Sequence, residues 1–142
     1  MKSVTWRGRD HTTTPLDVPA GDDLTDVTVT LTNQGPTVAG VVRSADGTPA
    51  GPTAVVIFPL ERQARIGTGS RPTTLLAVTT GESGNYWLSG MPAGDYLLAA
   101  IPQSRLREWR SPARLEEIER FATRVSLRWG EPQTVDLTRA VR

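Results

Sequence analysis

The chain has 142 residues, with 16 Lys and Arg against 15 Asp and Glu, and no cysteine. That length suits one domain burying roughly two thirds of its unfolded surface. Near-zero net charge supplies no global field to draw in nucleic acid or an anionic membrane surface, and the lack of cysteine excludes a disulfide framework, a zinc-thiolate site and a thiol nucleophile.

The 13 glycines, 11 prolines and many Thr and Val favour short strands and turns over long helices. No apolar stretch approaches a membrane span, so membrane insertion is not expected. The opening Met1-Lys2-Ser3-Val4-Thr5-Trp6-Arg7 lacks the apolar core of a signal peptide. The chain is therefore expected to be cytoplasmic, or a piece of a longer exported protein.

Residues 2–7 alternate Val4 and Trp6 with Ser3, Thr5 and Arg7, which predicts an edge strand. Residues 8–23, with Pro15, Pro19 and Gly21, read as loop. In residues 26–32, Val27, Val29 and Leu31 alternate with Asp and Thr, the pattern of a half-buried strand with one wet face. Residues 37–44 carry apolar side chains on both faces, which predicts a central strand, and Gly40 within it marks a bulge or a close backbone approach.

Asp46-Gly47 turns the chain. Residues 54–60 are then β-branched, aromatic and buried in expectation, ending at Pro59. Residues 61–73 read as a polar surface loop, and residues 74–80 as another strand.

In residues 84–100, Tyr86 and Leu88 share one face of a first run; Tyr96, Leu98 and Ala100 share one face of a second. Pro92 and Gly94 between them are suited to reversing the chain. The two runs are expected to be adjacent, antiparallel and turned inward.

Ser111-Pro112 starts a helix. Leu115, Ile118 and Ala122 recur at helical spacing, with Phe121 beside them and mostly Arg and Glu opposite, so one short amphipathic helix is expected near residues 112–122. Val125, Leu127 and Trp129, then Val135 and Leu137, predict a closing hairpin or strand pair. Seven or more short strands separated by turns indicate a mostly β fold, a sandwich of two antiparallel sheets about 10 Å apart with the helix as an insertion.

Val38-Ala39-Gly40-Val41-Val42, Asp46-Gly47-Thr48-Pro49, Ala54-Val55-Val56-Ile57 and the block Gly84-x-Tyr86-x-Leu88-x-Gly90-Met91-Pro92-x-Gly94-x-Tyr96-x-Leu98 resemble the carboxypeptidase regulatory-like domain family, over residues 37–101. The resemblance implies a transthyretin-like (prealbumin-like) sandwich of Greek-key type. It further implies a noncatalytic accessory module, appended or repeated in large exported bacterial proteins, that scaffolds or presents ligands. On that plan residues 1–33 are a junction contributing edge strands after a preceding module, and residues 34–142 form the domain, including the late helix and closing strands. The partners implied are neighbouring domains of the parent protein, with polysaccharide or peptide as further ligands. The implied location is extracytoplasmic: periplasmic, cell-surface or secreted. No cofactor is implied.

Catalysis finds few candidates. The single histidine, His11, lies between Asp10 and a Thr run; adjacency in sequence is not an orienting geometry, so a surface-loop histidine is expected, with a hydrolase using His11 as the remote alternative. It has no second His or Cys for a zinc site. The His-x-x-Glu pair of the carboxypeptidase catalytic domain is missing, as are the several histidines and Tyr-Arg-Gly-Ser terminus of hydroxyisourate hydrolases. Asp22, Asp23 and Asp26 lack the spacing of a calcium loop and read as a solvated turn. Glu116, Glu117 and Glu119 spread around the helix as a wet face. Gly67-Thr68-Gly69-Ser70 lacks the Gly-Lys-Ser/Thr of a phosphate loop.

Arg105, Arg107, Arg110 and Arg114 flank Trp109, a mix of cations and aromatic found on nucleic-acid or anionic-sugar surfaces. The balanced charge instead favours Trp109 and Leu106 closing over the sandwich edge, with the arginines solvated and no nucleic-acid role. Trp129 is in phase with Val125 and Leu127 and is expected in the core. Trp87 is out of phase with Tyr86 and Leu88, hence on the opposite sheet face. It is expected to pack beneath the helix or a tail. Were that face open, Trp87 with Trp6 or Trp109, beside Arg107 and Arg110, would make the platform of a carbohydrate-binding module.

Overall fold

The computed structural model describes residues 2–12, 14–65 and 74–140. The strands, in chain order, are β1 (Ser3–Trp6), β2 (Arg9–Asp10), β3 (Val27–Thr30), β4 (Thr37–Arg43), β5 (Ala54–Pro59), β6 (Leu76–Thr79), β7 (Asn85–Ser89) and β8 (Gly94–Ile101). Helix α1 (Pro112–Glu119) follows, then β9 (Thr123–Leu127), β10 (Pro132–Thr134) and β11 (Leu137–Thr138). Short 3-10 turns occupy Arg62–Arg65 and Gln103–Arg105. Residues 66–73 of the expected surface loop, the Gly67–Ser70 motif among them, lie outside the described residues.

The mostly β sandwich with one short helix is present. One sheet has the order β6-β5-β8-β9, antiparallel throughout. The other is centred on β4, with β7 antiparallel on one side and β10 and β11 parallel on the other. Val38 and Val42 of β4, Tyr86 and Leu88 of β7, Val55 and Ile57 of β5, and Tyr96, Leu98 and Ala100 of β8 meet between the sheets in one core. This is the period-two consequence of the alternation read in each strand.

β5 and β8 are apolar on both faces because a third layer lies behind them. Ala54, Val56, Phe58, Leu97, Ala99 and Ile101 point away from the first core and pack under Trp109, Leu115 and Ile118. Pro112 occupies the first turn of α1, where its missing N–H costs nothing. The helix stops at Glu119, short of residue 122, because its last turn tightens: Arg120 N–H bonds Glu117 O and Phe121 N–H bonds Ile118 O. Phe121 then falls outside the helix and is exposed.

Three expectations of adjacency are corrected. The runs of residues 84–100 are not neighbours in one sheet: β7 pairs with β4, while β8 pairs with β5 and β9. Residues 90–94 form an arch between sheets rather than a hairpin loop. Met91 plugs it and is buried, and Tyr96 Oη donates to Pro92 O at 2.8 Å, a hydroxyl reaching a few residues upstream as in a tyrosine corner. The tyrosines do fill the space between the sheets, from opposite sides.

The closing segment is likewise no hairpin. β9 stays in the β8 sheet, and after Gly130 the chain crosses to β4, where Val135 N–H bonds Ala39 O at 2.9 Å. Strand β9 ends at Leu127, so Trp129 leaves the alternation and is only half-buried, at the junction with the N-terminal segment rather than in the core.

Gly40 is the close approach. A Cβ there would overlap the Val135 carbonyl oxygen, the same oxygen that accepts the Tyr86 hydroxyl. Gly84, at φ +77°, meets a similar limit against Val42 O.

Thirdly, residues 2–7 are not an edge. β1 runs between β2 and β3 in a separate three-stranded sheet. Trp6 is buried there, its indole N–H donating to Thr25 O at 3.0 Å. β3 is exposed along its whole length, not half-buried, because it pairs with β1 away from both cores.

Candidate functional site

The five residues of the sequence-derived platform fall in three separate places. Trp109 is 1% exposed, sealed beneath α1 against the β5–β8 sheet, and the exposed Arg110 lays its guanidinium 4.8 Å from the indole centroid. Arg107 is exposed on the same segment. Trp6 is buried in the N-terminal sheet, with Arg7 4.5 Å from its ring and His11 at 6.2 Å. Trp87 alone is open, at 61% exposure. Its expected packing fails for a definite reason: α1 covers the outer face of the β5–β8 sheet, whereas Trp87 stands on the outer face of the β4 sheet.

Two of the four arginines around Trp109 are held in ion pairs. Arg105 and Arg114 both reach Glu117, at 3.1 and 2.8 Å, and their hydrogen bonds hold its carboxyl below the usual carboxylate range. Arg65, almost fully buried, donates to Pro59 O, Leu60 O and, at 2.9 Å, to Glu119, tying the 3-10 turn to the helix. These pairs neutralise Arg65, Arg105 and Arg114 against the helix carboxylates, while Arg107 and Arg110 stay exposed.

His11 is half-buried; its backbone N–H bonds Val4 O at 2.8 Å, and its Nδ1 is buried with no hydrogen-bond partner among the described residues. Asp10 beside it accepts from the Thr12 hydroxyl and backbone N–H, which lower its pKa. Asp10 therefore braces the turn rather than orienting the imidazole. Asp22 faces Arg7 at 3.5 Å. Among the described residues no three His, Asp or Glu side chains converge on a metal position.

Two open surfaces remain. On the N-terminal sheet the pairings Val4 with Val29 and Trp6 with Val27 put these four side chains on one face. Leu31 continues it. Val29 and Leu31 are 53% and 76% exposed, and Leu24 nearby is also exposed. Sequence alternation located the face but not its exposure. A groove of about 280 Å³ separates this sheet from the sandwich, between Lys2, Asp10 and Thr12 on one side and Pro92, Ala93 and Trp129 on the other.

The second surface surrounds Trp87. Register sets Ala39 directly beside it and Thr134 beyond, with Asn85 and Ser89 above and below on β7 and Thr37 next to Ser89. No signal in the sequence ties residue 134 to residue 87, since they meet only through β4.

No family model matches the sequence, and a search of curated proteins returns no match. Among solved structures the chain is similar to the TIE protein of Bacillus anthracis, at 14% identity and a TM-score of 0.46, over 74% of this chain and 16% of that one. It is also similar to a minor pilin of Streptococcus agalactiae, at 23% identity and 0.43, over 77% and 46%. A third is the 5-hydroxyisourate hydrolase of Klebsiella pneumoniae, at 18% and 0.38, over 72% and 84%. The chain thus spans less than half the length of the first two.

Proposed function

We propose that this chain is a noncatalytic structural and interaction module of a larger exported bacterial protein, built on the carboxypeptidase regulatory-like plan. The observation that carries the reading is the exposed apolar row of β3 and Leu31, the uncovered part of a face on which Trp6 is buried. Val27, Val29 and Leu31 alternate as though for a core, yet among the described residues no layer covers them. A contiguous exposed apolar row of that kind is characteristic of a surface on which something docks. The motif residues fit the family plan: Tyr86 and Tyr96 brace the sheets from opposite sides, and Gly84 sits where a side chain has no room. On this reading residues 1–33 join the sandwich to a neighbouring domain of the parent protein, outside the cytoplasm.

Carbene footprinting tests this. Residues 24–31 of the protein in the envelope or culture fluid of its native cells are expected to label several-fold less than in the purified chain. Equal labelling, or recovery of the protein from the cytoplasm alone, defeats the reading.

A further inference from the structure

We propose that Trp87 is the stacking residue of a binding face for neutral polysaccharide, on the outer surface of the β4 sheet. A sugar ring offers an apolar C–H face edged by hydroxyls, so it needs an exposed aromatic flanked by uncharged hydrogen-bonding groups. Trp87 has that setting. Its indole is 61% exposed, and its cross-strand neighbour is Ala39, whose methyl group leaves space over that part of the sheet. Asn85, Ser89, Thr37 and Thr134 provide amide and hydroxyl groups on the same face.

Charge decides between ligand classes. None of these side chains is ionisable, and Asp136, beside β4, is engaged by the Val41 N–H at 3.0 Å. A phosphate backbone or an acidic glycan would need a cluster of cations beside the aromatic, whereas Arg43, which alternation along β4 puts on this face, lies two rungs from Ala39 and donates to Gly47 O at 3.2 Å. A protein partner would favour several large exposed apolar anchors around the aromatic, as on the N-terminal sheet; here the other apolar neighbours are the small Ala39, the half-buried Val41 opposite Asn85 and Pro132 opposite Thr37. The inference stands apart from the docking role of the N-terminal sheet, and either holds if the other fails.

Native gel electrophoresis of the full chain through mixed-linkage β-glucan, galactomannan and, as charged controls, polygalacturonate and heparin tests it. Retardation by a neutral polymer is expected. The Trp87→Ala variant should lose affinity by about tenfold or more, Trp87→Tyr should recover part of it, and the melting temperature should stay constant. As a check that needs no variant, the neutral polymer should protect wild-type fluorescence from acrylamide, since Trp87 is the most exposed indole. The proposal is overturned by retardation on the charged polymers only, by none on any polymer, or by equal retardation of wild type and Trp87→Ala.

Discussion

Strands β3 and β5 are both runs of strand formers, and they meet opposite fates. Val27 and Val29 stand in water, while all six residues of β5 are buried, five of them completely. The difference is not in the strands but in what lies over them. β5 is an inner strand of a sheet with the β4 sheet on one side and the α1 segment on the other, whereas β3 edges a sheet that, among the described residues, no second sheet or helix covers. Alternation specifies a ladder and a face. Burial needs another element, and each large apolar side chain that gains one contributes about 1.5–3 kcal/mol. Stability is therefore concentrated in the three-layered part, and the N-terminal sheet is expected to open first.

The sharpest test compares truncations in the two regions. Phe58→Ala should cost about 3–5 kcal/mol in chemical denaturation, because the ring fills space under α1 and supports the buried Arg65 guanidinium 4.8 Å away. Leu31→Ala should fall within about 0.5 kcal/mol of wild type. Similar costs for the two would erase the distinction. Next in size is Gly40→Ala. A methyl group must displace the Val135 carbonyl and its Tyr86 bond, so a loss of about 1–3 kcal/mol is expected, with exchange at the β10–β11 amides rising before that of β8.

A smaller effect is set by pH. Burial raises both tyrosine pKa values, that of Tyr96 from 10.0 to about 12; for Tyr86 the nearby Asp136 charge adds to it. A raised folded-state value means the neutral phenol is favoured in the fold. Its contribution is complete below pH 10.0 and is lost as pH climbs through about 12. Stability should accordingly fall across that window. Tyr96→Phe should be less stable by about 1 kcal/mol at neutral pH, from the lost bond to Pro92 O, and should show a shallower alkaline decline. An unchanged decline would place the titrating group elsewhere.

How much of this was legible in the sequence follows the same division. The faces of Tyr86, Leu88, Tyr96 and Leu98, the tight spot at Gly40 and the start of α1 were all readable, because each depends on local periodicity or backbone chemistry. Sheet membership was not. An arch and a hairpin loop both use Pro and Gly over residues 90–94, and only the partner strands distinguish them. Nor was Trp87 readable beyond its face. Whether that face is covered depends on which sheet α1 lies against, and the helix sequence carries no mark of that choice. The Trp87, Ala39 and Thr134 row exists only because β10 runs parallel to β4, a pairing between residues far apart in sequence.

The smallest expected effect is the most informative about the N-terminal sheet. The double variant Val29→Asp, Leu31→Asp places two charges on the open face. Since both side chains already stand mostly in water, neither charge is desolvated, and the denaturation midpoint of the sandwich should move by no more than about 0.5 kcal/mol. Binding of an apolar dye such as ANS should meanwhile fall, because the aliphatic stripe that attracts it is broken. A loss of more than about 2 kcal/mol would mean that the folded chain itself buries this face, since a charge is that costly only where water is excluded.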